Sequence, residues 1–200
     1  ATITGRADGR ALLVAANEGD GSLTVFEHHA QGAPANPREP QLRSTGPELP
    51  WGALSGLTTD GRHLYAVPDN AFGQSRIFRI DPSARAQGQM VIDRVTLLRE
   101  ADGRPLKADP EGIARIPGGF WIASEGKTVA DNELLRVDEE GTVRQRVALP
   151  ARIQALFADP RTSTGFEGVA VSPDGQTLYL ALQRGYDLAK PQAARSEERR

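Results

Sequence analysis

Cysteine is absent from the chain, and histidine occurs only 3 times in 200 residues. The absence of thiols excludes disulfides and thiolate metal sites, so a metal ion would have to be held by oxygen ligands. No run approaches the roughly 18 apolar residues that a membrane-spanning helix needs. The net charge of -2 gives no general attraction to nucleic acid or to an anionic membrane. The sequence therefore predicts neither a nucleic-acid partner nor a transmembrane segment.

A recognisable export signal is also missing. The chain begins at Ala1 with neither a basic segment nor an apolar segment behind it, so the sequence shows no signal peptide. A chain from which a signal had been removed would look the same. The abundant residues are instead turn formers, with 21 glycines and 14 prolines, as expected where many short strands are joined by many turns.

One pattern occurs three times, at residues 53–67, 109–126 and 165–182. Each copy contains a glycine within an apolar segment, and these glycines are Gly56, Gly112 and Gly168, spaced by 56 residues. A constant period of this size indicates a repeat architecture.

Each repeat is predicted to contain four short strands. In the second repeat the strands are predicted at 54–58, 64–67, 76–80 and 91–98, and in the third at 112–116, 120–123, 133–137 and 142–149. The fourth repeat contributes strands at 168–171 and 177–182. The first is weaker, with a strand at 22–27 and its first strand expected at or before Ala1. A short helical turn is expected within 150–159.

This organisation predicts an all-β fold, a β-propeller of four-stranded antiparallel blades of about 56 residues. The predicted blades are 1–50, 51–106, 107–162 and an incomplete 163–200, all in one domain. Because propellers have about 4–8 blades, we expect the sequence to be part of a larger ring. The alternatives are a four-bladed ring whose ends share a blade, and a solenoid.

Superposing the repeats places polar side chains at one end of the predicted strands. One group immediately precedes the repeated glycines: Ser55, Glu111 and Glu167. A second follows the second strand of each repeat: Asn17, Asp69, Glu125 and Gln183. The start of one antiparallel strand lies beside the end of the next, so both groups are expected at the same rim.

Carboxylates dominate this rim, and Asp109 stands beside them. Converging carboxylates repel one another unless protons or a cation neutralise them, and oxygen ligands suit Ca²⁺ before Mg²⁺. The predicted metal ligands are Asp69, Asp109, Glu111, Glu125 and Glu167. The alternative is that Glu111 and Glu167 only join the repeats, by accepting hydrogen bonds from backbone N–H groups or neighbouring arginines.

Basic residues occur in the loops expected at the same rim. The candidates for holding substrate phosphate oxygens are Lys107, Lys127, Arg104 and Arg161, because Lys and Arg are the usual partners of phosphate. The alternative for each of them is an ordinary solvated surface side chain. None of the three histidines, His28, His29 and His63, belongs to a recognisable metal or catalytic set.

Three segments in order resemble the phytase-like family, which is described as "esterase-like activity of phytase". They are Leu-Ser-Gly-Leu at 54–57 leading to Val-Pro-Asp-Asn at 67–70, Asp-Pro-Glu-Gly-Ile-Ala at 109–114 leading to Trp-Ile-Ala-Ser-Glu-Gly at 121–126, and Gly-Phe-Glu-Gly-Val-Ala at 165–170 leading to Asp-Gly-Gln-Thr-Leu-Tyr at 174–179. The resemblance covers about residues 45–185. It implies a bacterial, secreted or periplasmic propeller that hydrolyses esters, including phosphate esters, with calcium held by acidic side chains.

The sequence leaves three functions open. The first is a hydrolase of phosphate or carboxylate esters in which Glu111, Glu125 or Glu167 acts as general base. The second is a non-catalytic propeller that binds a ligand or a protein and carries structural calcium. The third is a different propeller enzyme, such as a sugar lactonase. The substrate and the oligomeric state are not specified by these patterns.

Overall fold

The structure is a computed structural model of the chain. It describes residues 2–5, 11–19, 21–27, 40–46, 50–157 and 165–183. These residues form sheets of mainly antiparallel strands that follow one another along the chain, so the predicted all-β class is confirmed. In that part of the chain, no helix is long and apolar enough to cross a membrane.

The first two sheets come from the first half of the chain. The first has the order β1-β2-β3, formed by β1 (Thr2–Gly5), β2 (Ala11–Asn17) and β3 (Ser22–Glu27). The second has the order β4-β8-β7-β6-β5, formed by β4 (Gln41–Ser44), β5 (Leu54–Thr59), β6 (Leu64–Pro68), β7 (Arg76–Asp81) and β8 (Gln89–Leu97). Buried positions alternate with more exposed ones in β4 and at the start of β8, as in a strand with one face on the core, whereas β6 is buried at four of its five positions.

The third and fourth sheets repeat the second. The third has the order β12-β11-β10-β9, formed by β9 (Pro110–Ile116), β10 (Gly119–Ser124), β11 (Glu133–Asp138) and β12 (Val143–Ala148). The expected helical turn is α1 (Ala151–Gln154). The fourth sheet is described by β13 (Phe166–Val171) and β14 (Leu178–Leu182).

Two sequence predictions about the first repeat were wrong. Its first strand lies at Thr2–Gly5 and pairs with β2, so it is not at or before Ala1. The segment β4, predicted to belong to the unit 1–50, instead pairs in parallel with β8 and makes the second sheet five-stranded. Buried Leu42 of β4 packs in the same hydrophobic cluster as Met90, which explains why β4 joins this edge.

Hydrophobic clusters lie between successive sheets. One cluster combines β2 and β3 with the second sheet, and it includes Leu23 and Phe78. The next joins the second and third sheets through residues such as Ile77 and Ile122. A third joins the third and fourth sheets, and Phe166 belongs to it. The sheets are therefore packed face to face in sequence order.

The edge strands β5, β9 and β13 touch through the repeated glycines. A Cβ placed on Gly56 would lie 2.9 Å from the Cα of Gly112. A Cβ on Gly112 would lie 2.6 Å from the Cα of Gly168. The period of 56 residues thus marks positions where one backbone lies directly against the next, and it sets the distance between the residues that precede the glycines.

Candidate functional site

One backbone hydrogen bond recurs at the same end of three sheets. The N–H groups of Asp69, Glu125 and Gln183 donate to the carbonyl oxygens of Ala53, Asp109 and Gly165, at 2.8, 2.9 and 3.0 Å respectively. Asp69, Glu125 and Gln183 therefore occupy equivalent places, as the repeat predicted. Asp109 occupies the place held by alanine and glycine in the neighbouring repeats. A carboxylate that the repeated architecture does not need is a candidate for function.

Three carboxylates meet at this end of the second and third sheets. One oxygen from each of Asp69, Asp109 and Glu111 can be chosen so that all three lie within 4.8 Å of one another. Metal–oxygen distances of about 2.3–2.6 Å place two ligands of one Ca²⁺ at most about 5 Å apart. This acidic triad, Asp69, Asp109 and Glu111, can therefore hold a metal ion.

Polar neighbours fix two members of the acidic triad. The Ser55 hydroxyl donates to Oε2 of Glu111 at 2.7 Å, and the backbone N–H of Asp109 donates to Ser124 Oγ at 3.1 Å. Such contacts around a ligand orient it for the ion and are a normal part of metal sites. The sequence placed Ser55 at the rim but gave no reason to connect it with Glu111.

The buried oxygen Oδ1 of Asp109 supports the fit to a cation. Among the described residues it has no hydrogen-bond partner, although buried polar atoms are normally paired. The Asp109 carboxyl also lies against that of Asp69. A cation between the two carboxylates would satisfy the unpaired oxygen and remove the repulsion.

Glu125 and Glu167 lie next to the acidic triad. The backbone N–H of Gly165 donates to Oε1 of Glu125 at 2.6 Å. The charge of Glu167 acts on both Glu111 and Glu125. The structure therefore brings all five predicted ligands, Asp69, Asp109, Glu111, Glu125 and Glu167, into one neighbourhood, with three of them close enough to share an ion.

The pKa values of this neighbourhood are raised. Burial, with the charges of the other acids, raises the pKa of Glu111 to about 8, although the Ser55 hydrogen bond opposes the shift. Burial likewise raises the pKa of Glu125 to about 7 against the opposing Gly165 hydrogen bond. Burial and contact with Asp69 raise the pKa of Asp109. The ionised cluster is therefore costly in the absence of a cation.

We expect the metal-free protein to lose thermal stability between about pH 5 and pH 9. Glu111 and Glu125 have pKa values near 4.5 when unfolded but near 8 and 7 when folded, so their protonation favours the folded state and this contribution is lost as pH rises. Calcium should reduce the loss, because it stabilises the ionised forms. The measurement is Tm against pH with a chelator and with calcium; a Tm that is flat or rising across this window in chelator would contradict the shifts.

A cleft of about 670 Å³ opens beside Asp109 of the acidic triad and beside Glu125. Asp109, Glu125, Lys107 and Lys127 line it, together with Asn70. Of the four predicted substrate-binding residues, Lys107 and Lys127 therefore lie beside the acids. Arg104 is exposed and pairs with Asp102 at 2.7 Å, and Arg161 lies outside the described residues.

The sequence reasoning missed Glu18, whose negative charge contributes to the raised pKa of Asp109. It selected the preceding residue, Asn17, whose side-chain amide instead donates to Ser22 and Thr24 within the first sheet. The repeat alignment is weak in this part of the chain, so a shift of one residue could not be recognised. Asn70, which lines the cleft, was also missed, although it directly follows Asp69.

The fold and this site define a class of protein, a β-sheet repeat with an acidic centre that can bind a metal ion beside a lysine-lined cleft. The model of the phytase-like family, described as esterase-like activity of phytase, matches residues 49–200. The chain belongs to this family, as its sequence motifs predicted. A search of curated proteins found no match.

A solved structure with a similar course of the chain is a protein of Thermus thermophilus described as a putative oxidoreductase (glucose dehydrogenase). The sequence identity is 17% and the TM-score is 0.44. The match covers 90% of this chain and 55% of that protein, so the chain spans little more than half the length of the protein it resembles.

Proposed function

We propose that this chain forms part of a β-propeller hydrolase that cleaves an ester, preferably a phosphate monoester, with the aid of Ca²⁺. The successive sheets would be blades of one domain. The observation that carries the proposal is Asp109. It belongs to the acidic triad, one of its buried oxygens has no partner among the described residues, and it lines the cleft that contains two lysines. Family membership supports an ester as the substrate class.

The acidic triad would hold the ion. Oxygen ligands of this kind favour a hard cation, and the choice of calcium over magnesium rests on the tolerance of Ca²⁺ for irregular geometry. When bound, the ion would neutralise substrate oxygens and lower the pKa of a bound water. The Ser55 hydroxyl keeps Oε2 of Glu111 oriented, so the other oxygen of this carboxylate is available to the ion.

Glu125 is the best candidate for the general base. It lines the cleft, it lies outside the acidic triad, and its pKa is raised to about 7 in the metal-free protein. A general base is most effective when its pKa is near the working pH. Glu125 would take a proton from the attacking water, while Glu167 and Glu111 remain the alternative bases.

Lys107 and Lys127 would bind the substrate anion. Both line the cleft that Asp109 and Glu125 also line, and both are exposed, so an incoming phosphate can reach them. Ammonium groups are suitable partners for phosphate oxygens. This arrangement favours a phosphate ester over an uncharged ester.

The proposal is tested by the hydrolysis of p-nitrophenyl phosphate and p-nitrophenyl acetate by the full chain, with calcium and with a chelator. We expect calcium-dependent release from the phosphate ester. Lys107→Ala and Lys127→Ala should raise KM for the phosphate ester by about tenfold each, as the loss of a charge-assisted contact of about 1.5 kcal/mol implies. Arg104→Ala is the control, because Arg104 pairs with Asp102 and should leave KM unchanged.

The same assay distinguishes the second candidate function. The acidic triad would also suit a calcium-stabilised propeller that binds a ligand without turning it over. That candidate predicts that calcium raises Tm while neither ester is cleaved, and this result would overturn the hydrolase proposal. Export to the periplasm or the medium is a proposal that rests on the family resemblance, and cell fractionation tests it.

A further inference from the structure

In each of the first three repeats, the residue just before the third strand contacts the segment that enters the next sheet. These residues are Gly21 before β3, Ser75 before β7 and Asn132 before β11. All three are buried. Their side chains increase in size along the chain, from none in glycine to an amide in asparagine.

Each of these three residues contacts the segment that leads into the first strand of the next repeat, which is β5, β9 or β13. A Cβ on Gly21 would lie 3.3 Å from the Cα of Gly52 and 3.6 Å from the backbone nitrogen of Ala53. Ser75 Oγ accepts a hydrogen bond from the N–H of Ala108 at 2.8 Å. Asn132 Oδ1 accepts one from the N–H of Phe166 at 2.8 Å.

The size of the residue before the third strand limits which side chain fits at the position beside it. Beside Asn132 stands Gly165, where an added Cβ would lie 1.7 Å from Asn132 Oδ1, so only glycine fits. Beside Ser75, the position equivalent to Gly165 is Asp109. The carbonyl oxygens of Gly165 and Asp109 accept the same repeated backbone hydrogen bond described above. The short serine side chain leaves room for the Cβ of an aspartate.

Ser75 also fixes the backbone that carries Asp109. It is 5% exposed, its N–H donates to the Leu106 carbonyl at 2.9 Å, and its hydroxyl donates to the Ala108 carbonyl at 3.2 Å. Residue 110 is proline, which lacks the N–H that Phe166 offers in the next repeat. The segment before Asp109 is therefore held at Ala108 instead.

We propose that Ser75 is the positioning residue for Asp109: its hydroxyl fixes the segment before the aspartate, and its small volume permits a carboxylate there. The proposal rests on the proposed metal-dependent function and adds a residue that touches neither the ion nor the substrate. It also explains why the fourth sheet presents Gly165 where the third presents Asp109.

The test replaces Ser75 alone and then together with Asp109. We expect Ser75→Asn to lower Tm and to weaken calcium binding at least tenfold by isothermal titration calorimetry, because the amide would occupy the space of the Asp109 Cβ. Loss of a residue that orients a ligand typically costs about 10–100-fold in metal affinity. Adding Asp109→Gly should recover part of the lost Tm, since it removes the Cβ that the amide would meet, although Pro110 offers no N–H to the new amide. It should not restore calcium binding.

A milder variant guards against a Ser75→Asn protein that does not fold. Ser75→Ala keeps the space but removes the hydrogen bonds to Ala108, so calcium binding should weaken by a smaller factor than in Ser75→Asn. Calcium binding equal to the wild type in both variants overturns the proposal, as does a Tm that Asp109→Gly leaves as low as that of Ser75→Asn alone. A wild-type chain that binds no calcium overturns the metal-dependent function instead, and the Tm comparison alone then decides whether Ser75 controls the space of Asp109.

Discussion

Glu111→Gln should lower calcium-dependent turnover at least about 100-fold while leaving the fold intact. Glu111 is a member of the acidic triad, and glutamine cannot supply the charge that a cation or a proton transfer requires. The amide oxygen can still accept the Ser55 hydrogen bond that Oε2 accepts in the native protein. The variant therefore removes charge with little change in shape.

In the metal-free protein, Glu111→Gln should not lower the thermal stability. The pKa of Glu111 is raised to about 8, so its carboxyl is mainly protonated at pH 7 in the folded, metal-free protein. Glutamine resembles that neutral form, and Tm at pH 7 in chelator should hardly change. At pH 9 the variant should be more stable than the wild type, because the cost of burying the charge has been removed.

Glu140→Gln is the matched control for this prediction. Glu140 is an exposed residue in the turn after β11, at the opposite end of the third sheet from Glu125. Its replacement should change neither turnover nor the calcium-dependent rise in Tm. Unchanged turnover in Glu111→Gln would refute a role for Glu111 in catalysis or metal binding.

Gly112→Ala should destabilise the protein by about 1–3 kcal/mol or more, the usual cost of inserting a group into a well-packed interior. The added Cβ would lie 2.6 Å from the Cα of Gly168 and 2.8 Å from the backbone nitrogen of Val169. Both are backbone atoms, so β9 and β13 would have to separate. In a chain of this size each kcal/mol lowers Tm by about 2–4 °C.

Calcium affinity should fall in the same variant, because Glu111 directly precedes Gly112. Gly73→Ala is the control: Gly73 is exposed, and a Cβ there would meet nothing within 4 Å. Thermal melting and calcium calorimetry of both variants provide the comparison. Equal Tm values for Gly112→Ala and the wild type would show that β9 and β13 are not in the close contact described.

The repeat predicted the strands of the second and third sheets because one period fixes all of them at once. Their observed ends agree with the predicted ends to within two residues, as for β9 and β12. The period could not predict that β4 joins β8, since this pairing is parallel and connects segments more than 40 residues apart. Four residues carry no periodic signal that selects a partner.

The sequence selected the acids that the structure brings together, but not the contacts between them. Glu111 and Glu125 were found because they precede or follow a repeated strand. Asp109 is distinguished by the structure: its carbonyl accepts the same hydrogen bond as those of Ala53 and Gly165, yet it alone of the three carries a carboxylate. Ser75 could not be found from sequence, because a buried serine that holds a neighbouring backbone looks the same in sequence as a serine on the surface.

The hydrophobic clusters between the sheets also determine how the chain should open. Each cluster takes its side chains from two successive sheets, so each sheet depends on its neighbours for burial. Opening the third sheet would disturb the clusters that it shares with the second and fourth sheets. Its amide protons should therefore exchange with solvent only in openings that also involve those neighbours.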